Sequence, residues 1–507
     1  MTTNDTGLLL IPDRETVVRD INTGGGSSKD DPEKGHGTKL RHSLDSVRES
    51  MSGYPIDGDM MMLVRTRKGD NNTTVLDSGG IDAKYHFDKE LSFATMNRLA
   101  FDTMSSKLDV YQETFDGKRT NKTFFDAVDD FIPNTDVERK MRGAMSSVSV
   151  RDQPLVRYRL MTQGGGRIGP VSDIPSYGAK VLDEISFPGG LSFIDVESDP
   201  DALDRIVRRP DVITVSGIDT ILMEDESGVV TPVGSWIVHP DLDTSRLGTV
   251  AVLDTGVDLP PGLECLVTEH WVAEGTGSST SRHGTQVASK VIFGTVPPDG
   301  GTPVIPRNRV LDCRVYDSIG CNTTVLARRV EEAVVRFHRE VKIYVLSINR
   351  REHTYDDDPL SFMLDHLQSE YGVQFVVSAG NHFLWRTSSD LDEIFDDTES
   401  HIRPPADAVL PISVGSISEA DLPGSVSRAG EPAPYTCIGP GAYAARKPDL
   451  VSESGNVSVD GRVTEGVHSR VLNREGVLHV AGTSYSAPKI AGFLEHIRPR
   501  WVMTASC

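Results

Sequence analysis

The sequence predicts an α/β protein whose second half forms a mostly parallel sheet, preceded by an N-terminal α+β region. Val341–Ile348 and Val373–Ser378 are near-continuous apolar runs of strand length, which is typical of strands covered by helices on both faces. Before them, Val325–Glu340 repeats its apolar residues at helical spacing and predicts an amphipathic helix. Because strands and helices alternate along this half, we expect a parallel sheet between two helix layers.

Further segments fit the same scheme, taken in chain order. In the first half, Met60–Arg65 predicts a strand and Phe93–Phe115 predicts a helix, because apolar residues recur three or four positions apart. The pattern then predicts a strand at Leu191–Val196 and a short helix that is capped by Asp199 or Asp201 and runs to Val207. Another strand is predicted at Asp211–Ile218. In the second half, Gly248–Leu253 and Arg309–Tyr316 predict two more strands.

Composition divides the chain into three parts. Residues 1–55 are expected to form a disordered arm, since Asn22–Thr38 is rich in Gly, Ser and charge and has few apolar side chains to bury. Residues 56–240 are expected to form the N-terminal α+β region, and residues 247–507 the α/β domain. No sustained internal repeat is visible in the sequence.

Charge and hydropathy exclude several classes of protein. The formal net charge is −22, which argues against a nucleic-acid partner or an anionic membrane surface, because both require a basic face. No apolar run reaches the roughly 18 residues of a transmembrane helix, and no signal peptide is recognisable, so we expect a cytoplasmic protein. The five cysteines are scattered and fit neither a disulfide framework nor a paired zinc motif.

Three short motifs of the second half carry residues suited to nucleophilic catalysis. They are VAVLDTGVD with Asp254, SRHGTQVAS with His283, and GTSYSAP with Ser484 at the start of a helical pattern. Taken alone, each residue also has a structural explanation. Asp254 could be a turn residue, His283 a hydrogen-bonded polar residue, and Ser484 a helix N-cap. Together they follow the chain order Asp, His, Ser of the subtilisins.

From about Leu247 onward the chain resembles the catalytic domain of the subtilisin-like serine proteases, the subtilases. Further segments match the family in order over about residues 247–497: VLSIN at Val345–Asn349, SAGN at Ser378–Asn381, and KPDL at Lys447–Leu450. The resemblance implies a subtilisin-like three-layer fold and a serine endopeptidase. It also implies Asp254, His283 and Ser484 as catalytic residues, Asn381 in the oxyanion hole, and Ser347, Ile348 and Asn349 as substrate-binding residues.

The sequence also departs from the family pattern. Gln286 and Ser289 stand where the family often has histidine and glycine, and Tyr485 and Ser486 stand where smaller or unbranched apolar residues are common. Arg350 and Arg351 stand where many members have two glycines. One of these arginines could narrow the specificity pocket or favour acidic side chains; alternatively, both point to solvent. Few residues follow Ser484, so we expect the catalytic domain to be truncated at its C-terminus.

Several further expectations follow from the resemblance. The N-terminal region could act as a prodomain, with a cleavage point between about Asp219 and Thr249, or it could recognise a substrate or partner. Substrates should be proteins or peptides, and a bacterial AAA ATPase is a candidate partner. No cofactor is required and no metal site is assigned, although acidic loops at Asp356–Asp358 and Asp390–Glu399 could hold calcium. The competing function is an inactive or degenerate subtilase that only binds peptides.

Overall fold

The structure, a computed structural model, divides into two compact units, residues 15–218 and residues 219–507 together with 1–14. Within the described part of the chain, no helix combines the length and apolar character needed to span a lipid bilayer. The residues that the structure describes are 8–9, 35–53, 59–67, 72–88, 90–113, 122–142, 145, 153–164, 173–218, 220–221, 230–297, 302–317, 320–348, 357–388, 390–442, 445–459 and 468–504.

The unit of residues 15–218 begins with a helix and a four-stranded antiparallel sheet. The strands, in chain order, are Met60–Thr66, Asp82–His86, Leu91–Met96 and Val128–Ile132, and they lie in the spatial order second, third, first, fourth. The helices are His36–Ser50, Asn72–Gly79, Arg98–Glu113 and Lys122–Phe125. We call residues 60–132 the first module; its strand–helix–strand–strand–helix–strand order is that of a split βαβ fold.

Residues 156–217 form a second module with the same strand order. Its strands are Val156–Gln163, Lys180–Ser186, Leu191–Ser198 and Val212–Gly217, again antiparallel and in the spatial order second, third, first, fourth. A 3₁₀ turn at Ile174–Tyr177 and a helix at Pro200–Val207 connect them. Asp199 caps this helix by accepting a hydrogen bond from the Ala202 N–H at 2.7 Å, as its position in the sequence predicts.

The two modules are structural repeats, which the sequence did not reveal. Each central hairpin closes through four residues, with the Phe87 N–H donating to Leu91 O at 2.9 Å and the Phe187 N–H donating to Leu191 O at 2.7 Å. Both hairpins then continue as Leu-Ser-Phe, at 91–93 and 191–193, with each phenylalanine fully buried. Phe87 and Phe187 also correspond, and four shared residues per hairpin are too few for detection by sequence periodicity.

Two predictions for the first half are wrong in part. Residues 1–55 include the helix His36–Ser50, whose Leu40, Leu44 and Val47 are buried, because helical spacing places these three apolar side chains on one face. Apart from the two-residue strand Leu8–Leu9, residues 1–34 lie outside the described residues. The predicted helix Phe93–Phe115 is instead the end of a strand followed by the helix Arg98–Glu113. Buried apolar residues continue from the strand into the helix, so their spacing does not mark where the helix begins.

The second unit contains a parallel seven-stranded sheet. Its strands are β1 (Thr249–Asp254), β2 (Val267–Val272), β3 (Arg309–Arg314), β4 (Ile343–Leu346), β5 (Gln374–Ser378), β6 (Ile412–Ile417) and β7 (Leu450–Glu453). They lie in the order 7-6-5-4-1-3-2, all parallel, and Leu8–Leu9 pairs antiparallel with β7. The order reverses beside β1, which makes the carboxyl ends of β1 and β4 the topological switch point where α/β sheets bind ligands.

Helices cover both faces of this sheet, as predicted. They are α1 (Arg282–Phe293), α2 (Thr323–Phe337), α3 (Pro359–Tyr371) and α4 (Ser486–Thr504). Val250 and Val252 of β1 share a buried cluster with residues of α1 and α4, such as Val291 and Ile490. On the other face α2 and α3 pack together, with the ring of Phe337 at 5.9 Å from Trp271 of β2. The smaller elements of the unit are the hairpin Ser469–Asn473 and Gly476–Val480, the helix Leu391–Asp396, and the short strands Thr220–Ile221, Thr231–Pro232 and Cys321–Asn322.

The boundary between the units lies at residue 218, not at 240–247 as predicted. Thr231–Pro232 pairs with the strand Gly476–Val480, and Trp236 is 1% exposed within the cluster that contains α1 and α4. Local composition does not locate this boundary, because only the tertiary structure shows that one tryptophan anchors the segment in the core of the second unit.

Candidate active site

Asp254 and His283 contact each other directly. Asp254 is the last residue of β1 and lies two and four positions after Val252 and Val250. Because alternate residues of a strand share a face, its side chain lies on the sheet face covered by α1. Its carboxylate is 1% exposed, and both of its oxygens lie 2.9 Å from His283 Nδ1. The Thr255 N–H and hydroxyl also donate to Asp254 Oδ1, at 2.7 and 3.1 Å. A buried carboxylate with these donors can hold the ring of His283 in one orientation.

Close backbone packing fixes the start of α1, the helix that carries His283. A Cβ atom on Gly284 would lie 2.2 Å from Gly256 O, so only glycine allows the helix to come this near to the end of β1. The Gly284 N–H donates to Thr255 Oγ1 at 3.1 Å, and Thr255 thereby connects both catalytic candidates. Ser281, which precedes the helix, has a φ of 54°.

Ser484 lies in the turn Thr483–Tyr485 that precedes α4 and is 8% exposed. Its neighbour Tyr485 packs against α1, with its ring centroid 6.3 Å from that of His283. The Tyr485 hydroxyl donates to Gln286 Oε1 at 2.7 Å. Two of the departures from the family pattern, Tyr485 and Gln286, therefore contact each other and connect the start of α4 to α1.

The turn before α4 also orients Asn381, which follows β5. Asn381 Oδ1 accepts hydrogen bonds from the backbone N–H and the hydroxyl of Thr483, both at 3.0 Å. Because these bonds use the oxygen of the amide, Nδ2 is the atom of the amide that can donate to a ligand. Asn381 and Ser484 thus lie in segments that are connected through Thr483.

The predicted substrate strand is described only in part. The Ser347 hydroxyl, just after β4, donates to Ser484 O at 3.1 Å, and Ile348 is buried. This hydrogen bond connects the end of β4 to the turn of Ser484. Asn349, Arg350 and Arg351 lie outside the described residues.

The subtilase family model matches residues 248–500. This part of the chain belongs to the subtilase family. The match covers the sheet, nearly all of the four helices and all of the candidate residues above. The subtilase domain has the three-layer α/β fold that the sequence predicts, and an N-terminal region precedes it.

Two curated proteins are similar in sequence. An uncharacterized protein, y4bN, of Sinorhizobium fredii is 31% identical over 195 residues, covering 32% of this chain and 45% of that protein. Mycosin-1 of Mycobacterium tuberculosis is 27% identical over 287 residues, covering 50% of this chain and 59% of that protein. The chain therefore spans about half the length of the curated relatives it matches.

Two solved structures resemble the chain more distantly. The epidermin leader peptide processing serine protease of Staphylococcus aureus, in a mutant form, has a TM-score of 0.43 and 15% identity, covering 69% of this chain and 90% of that one. Fervidolysin of Fervidobacterium pennivorans, a keratinolytic enzyme related to subtilisin, has a TM-score of 0.39 and 17% identity, covering 68% and 55%.

The acidic loops have local roles in the structure. Asp358 caps α3 by accepting from the N–H groups of Leu360 and Ser361 at 2.9 and 3.1 Å. Asp390 caps the helix Leu391–Asp396. Among the described residues, no group of three or more His, Cys, Asp or Glu side chains is placed to hold a metal ion. Asp356 lies outside those residues, and calcium binding stays a prediction.

Sequence reasoning missed the residues that position the candidates. Thr255 and Thr483 stand beside Asp254 and Ser484 in the motifs DTG and GTS, and each connects two of the segments that form the site. Their adjacency to the motifs is the only signal in the sequence, because a threonine beside a catalytic residue has no distinctive pattern of its own.

Proposed function

We propose that the subtilase domain is a serine endopeptidase that cleaves peptide bonds through an acyl-enzyme intermediate. The observation that carries the proposal is the buried Asp254 carboxylate, with both oxygens 2.9 Å from His283 Nδ1. In this arrangement the carboxylate orients the imidazole and stabilises the imidazolium that forms when His283 takes up a proton, without becoming protonated itself.

Ser484 is the proposed nucleophile. A serine hydroxyl is a weak nucleophile at neutral pH, and it needs a base during the attack. His283 Nε2 takes the proton of Ser484 Oγ while Oγ forms a bond to the carbonyl carbon of the substrate. His283 then returns the proton to the amide nitrogen as the C–N bond breaks, leaving the acyl group on Ser484. Water activated by the same histidine hydrolyses the ester and restores the free enzyme.

Asn381 Nδ2 and the Ser484 backbone N–H are the proposed donors to the oxyanion. The Thr483 bonds to Asn381 Oδ1, both at 3.0 Å, support this role because they turn the donor end of the amide outward. The N-terminus of α4, which follows Ser484, adds its partial positive charge to the same place. Ser347, Ile348 and Asn349 are proposed to bind the substrate backbone.

A fluorophosphonate probe, which reacts with activated serine hydroxyls, tests this proposal on the full chain. We expect one labelled serine, identified as Ser484 by peptide mass mapping. Labelling should be lost in Ser484→Ala and strongly reduced in Asp254→Asn. Ser486→Ala, which changes a serine two residues away, serves as the matched control and should still be labelled. A folded wild-type chain that is never labelled would overturn the proposal and favour a subtilase that only binds peptides.

The substrate class, cellular location and partner of the enzyme remain predictions. We propose protein or peptide substrates, a cytoplasmic location and an AAA ATPase as a candidate partner. The formal net charge of −22 supports the prediction that neither nucleic acid nor an anionic membrane is a partner.

A further inference from the structure

Arg314 is the last residue of β3 and lies beside the end of β1. It pairs in register with Asp254, and residues in register on adjacent strands carry their side chains on the same face of a sheet. The side chain of Arg314 therefore lies on the face covered by α1. The N–H groups of Val315 and Tyr316 donate to Asp254 O at 3.0 and 3.3 Å, which holds the backbone after Arg314 against the candidate active site.

The aliphatic part of Arg314 lies against Gly256, close to the start of α1. A Cβ atom on Gly256 would lie 3.3 Å from Arg314 Cδ and 2.9 Å from Ser281 Oγ, so glycine leaves the space that this side chain uses. His283 follows Ser281 by two residues. Arg314 therefore brings a positive charge next to the candidate active site, although none of the steps proposed for peptide hydrolysis uses it.

The guanidinium of Arg314 has no acceptor in the part of the chain that the structure describes. The side chain is half-buried, and its buried Nε donates no hydrogen bond. Two carboxylates on the same face are already bound, Asp254 to His283 Nδ1 at 2.9 Å and Asp312 to His270 Nδ1 at 2.8 Å. A partly desolvated guanidinium without an acceptor is costly, and a carboxylate that reaches it would remove this cost.

Other arginines of the same unit have a buried Nε without an acceptor, but they are anchored through a terminal nitrogen. They are Arg309, Arg329 and Arg403, and each donates to a backbone carbonyl oxygen. These bonds explain the three positive charges as parts of the fold. Arg314 makes no such bond with the described residues, so structural anchoring does not account for its charge.

The structure already holds an extended segment beyond Arg314 by its backbone. Thr220–Ile221 pairs antiparallel with Cys321–Asn322, the short strand before α2, and Ile221 is 2% exposed. The hydroxyl of Tyr316, two residues after Arg314, donates to Ile221 O. Because the pairing is antiparallel, a peptide held in this way runs from the start of α2 back toward the end of β3.

We infer that Arg314 is a specificity-determining residue that binds the carboxylate of a glutamate or aspartate side chain of the substrate. This inference rests on the peptide hydrolysis proposed above. A peptide that follows the direction of Thr220–Ile221 enters the site with its N-terminal part on this side, so the acidic side chain precedes the bond to be cleaved. The planar guanidinium can bind a carboxylate through two parallel hydrogen bonds.

The charge of the whole chain makes an acidic preference informative. The formal net charge of −22 repels acidic peptides at long range, so only a local cation can favour them. Arg350 and Arg351 are the candidates that the sequence offers for the same preference. Substitution of Arg314 therefore has to separate its effect from theirs.

A proteome-derived peptide library, cleaved by the full chain and read by mass spectrometry, tests the inference. We expect glutamate and aspartate to be enriched at one position before the cleaved bond, at least about tenfold over glutamine and asparagine, the effect of a charge-assisted hydrogen bond. Cleavage without acidic enrichment, or with enrichment only after the cleaved bond, would overturn the inference and leave the proposed peptidase function intact.

Two peptides that differ only by glutamate or glutamine at the enriched position then measure the contribution of Arg314. The ratio of their kcat/KM values is compared within each variant, so that a general loss of activity cancels. Arg314→Gln should reduce the ratio to about one, and Arg314→Glu should favour lysine at the same position. Arg336→Gln, which removes an exposed positive charge of α2, is the matched control and should keep the wild-type ratio.

A preference that survives in Arg314→Gln would overturn the inference and point to Arg350 or Arg351. If Arg314→Gln does not fold, Arg314→Lys decides, because lysine keeps the charge but lacks the planar fork. The ratio should then fall several-fold without reaching one, and an unchanged ratio would overturn the inference.

Binding separates this inference from the proposed function. If the folded wild-type chain neither reacts with the fluorophosphonate probe nor cleaves the library, binding of acidic and amide peptide pairs to it is measured by fluorescence anisotropy. Tighter binding of the acidic peptides that is lost in Arg314→Gln would support the role of Arg314 although the peptidase proposal fails. Equal binding, or no binding, would overturn both.

Discussion

Tyr485 and Gln286 show how single residues adapt the family pattern in this chain. Both are buried, at 0% and 2% exposure, and the resemblance places a different residue at each position in many subtilases. Their hydrogen bond of 2.7 Å provides the partner that a buried polar group requires. We infer that the two positions compensate each other, since either substitution alone would leave a buried polar atom unsatisfied or a cavity unfilled.

A double-mutant cycle in urea tests this compensation. Tyr485→Phe should destabilise the unit by about 1–3 kcal/mol, because it leaves Gln286 Oε1 buried without its donor. Gln286→Leu should also destabilise the unit, because it removes the acceptor of the Tyr485 hydroxyl. The double variant should lose less than the sum of the two, with a coupling of about 0.5–3 kcal/mol. Strictly additive effects would show that the hydrogen bond does not couple the residues.

At the scale of elements, α1 and α4 are the two helices that bring the candidate residues together. His283 opens α1, and Ser484 lies in the turn that precedes α4. Both helices pack on the same sheet face through the cluster around Val250 and Val252. A change in the position of either helix would therefore separate the proposed base from the proposed nucleophile without altering either residue.

Gly284 is the position at which α1 can be displaced most simply. In Gly284→Ala the new Cβ would fall 2.2 Å from Gly256 O, so backbone must move, and overpacking of this kind costs about 1–3 kcal/mol. We expect a lower unfolding temperature and reduced fluorophosphonate labelling of Ser484. Gly234→Ala, where a Cβ would meet nothing within 4 Å, is the control and should match the wild type. An unchanged stability in Gly284→Ala would contradict the close approach.

On the scale of the whole molecule, the chain combines a subtilase domain with two modules that share one strand order. The second module ends at Gly217, and the described part of the following segment is held in the subtilase unit by two strand pairings and by Trp236. A protease product that retains its core must therefore keep Trp236. This restricts where an N-terminal region acting as a prodomain could be removed.

The prodomain and recognition hypotheses for the N-terminal region differ in one measurable outcome. If residues 15–218 act as a prodomain, the purified wild-type chain should be cleaved between Asp219 and Thr231, because a later cut would remove part of the strand paired with Gly476–Val480 and endanger the core. N-terminal sequencing should locate the new end, and Ser484→Ala should stay intact. An active wild-type chain that remains uncut would favour a recognition role for the two modules.

How much of the site the sequence predicts depends on how local each interaction is. Asp254, His283, Ser484 and Asn381 lie in short motifs, where residue type and neighbours are enough to propose them as site residues. Thr255 and Thr483 escaped prediction because their role consists of hydrogen bonds to residues 29 and 102 positions away. No periodicity or local composition encodes contacts across that distance.

The sequence by itself determined the alternation of strands and helices, the parallel sheet and the family, because buried strands and amphipathic helices leave periodic apolar patterns and the motifs are contiguous. Only the tertiary structure decided that Tyr485 meets Gln286, that Trp236 belongs to the second unit, that two modules repeat, and that Arg314 lies against Gly256. Each of these depends on contacts between segments distant in the chain, which packing in three dimensions creates and linear order does not record.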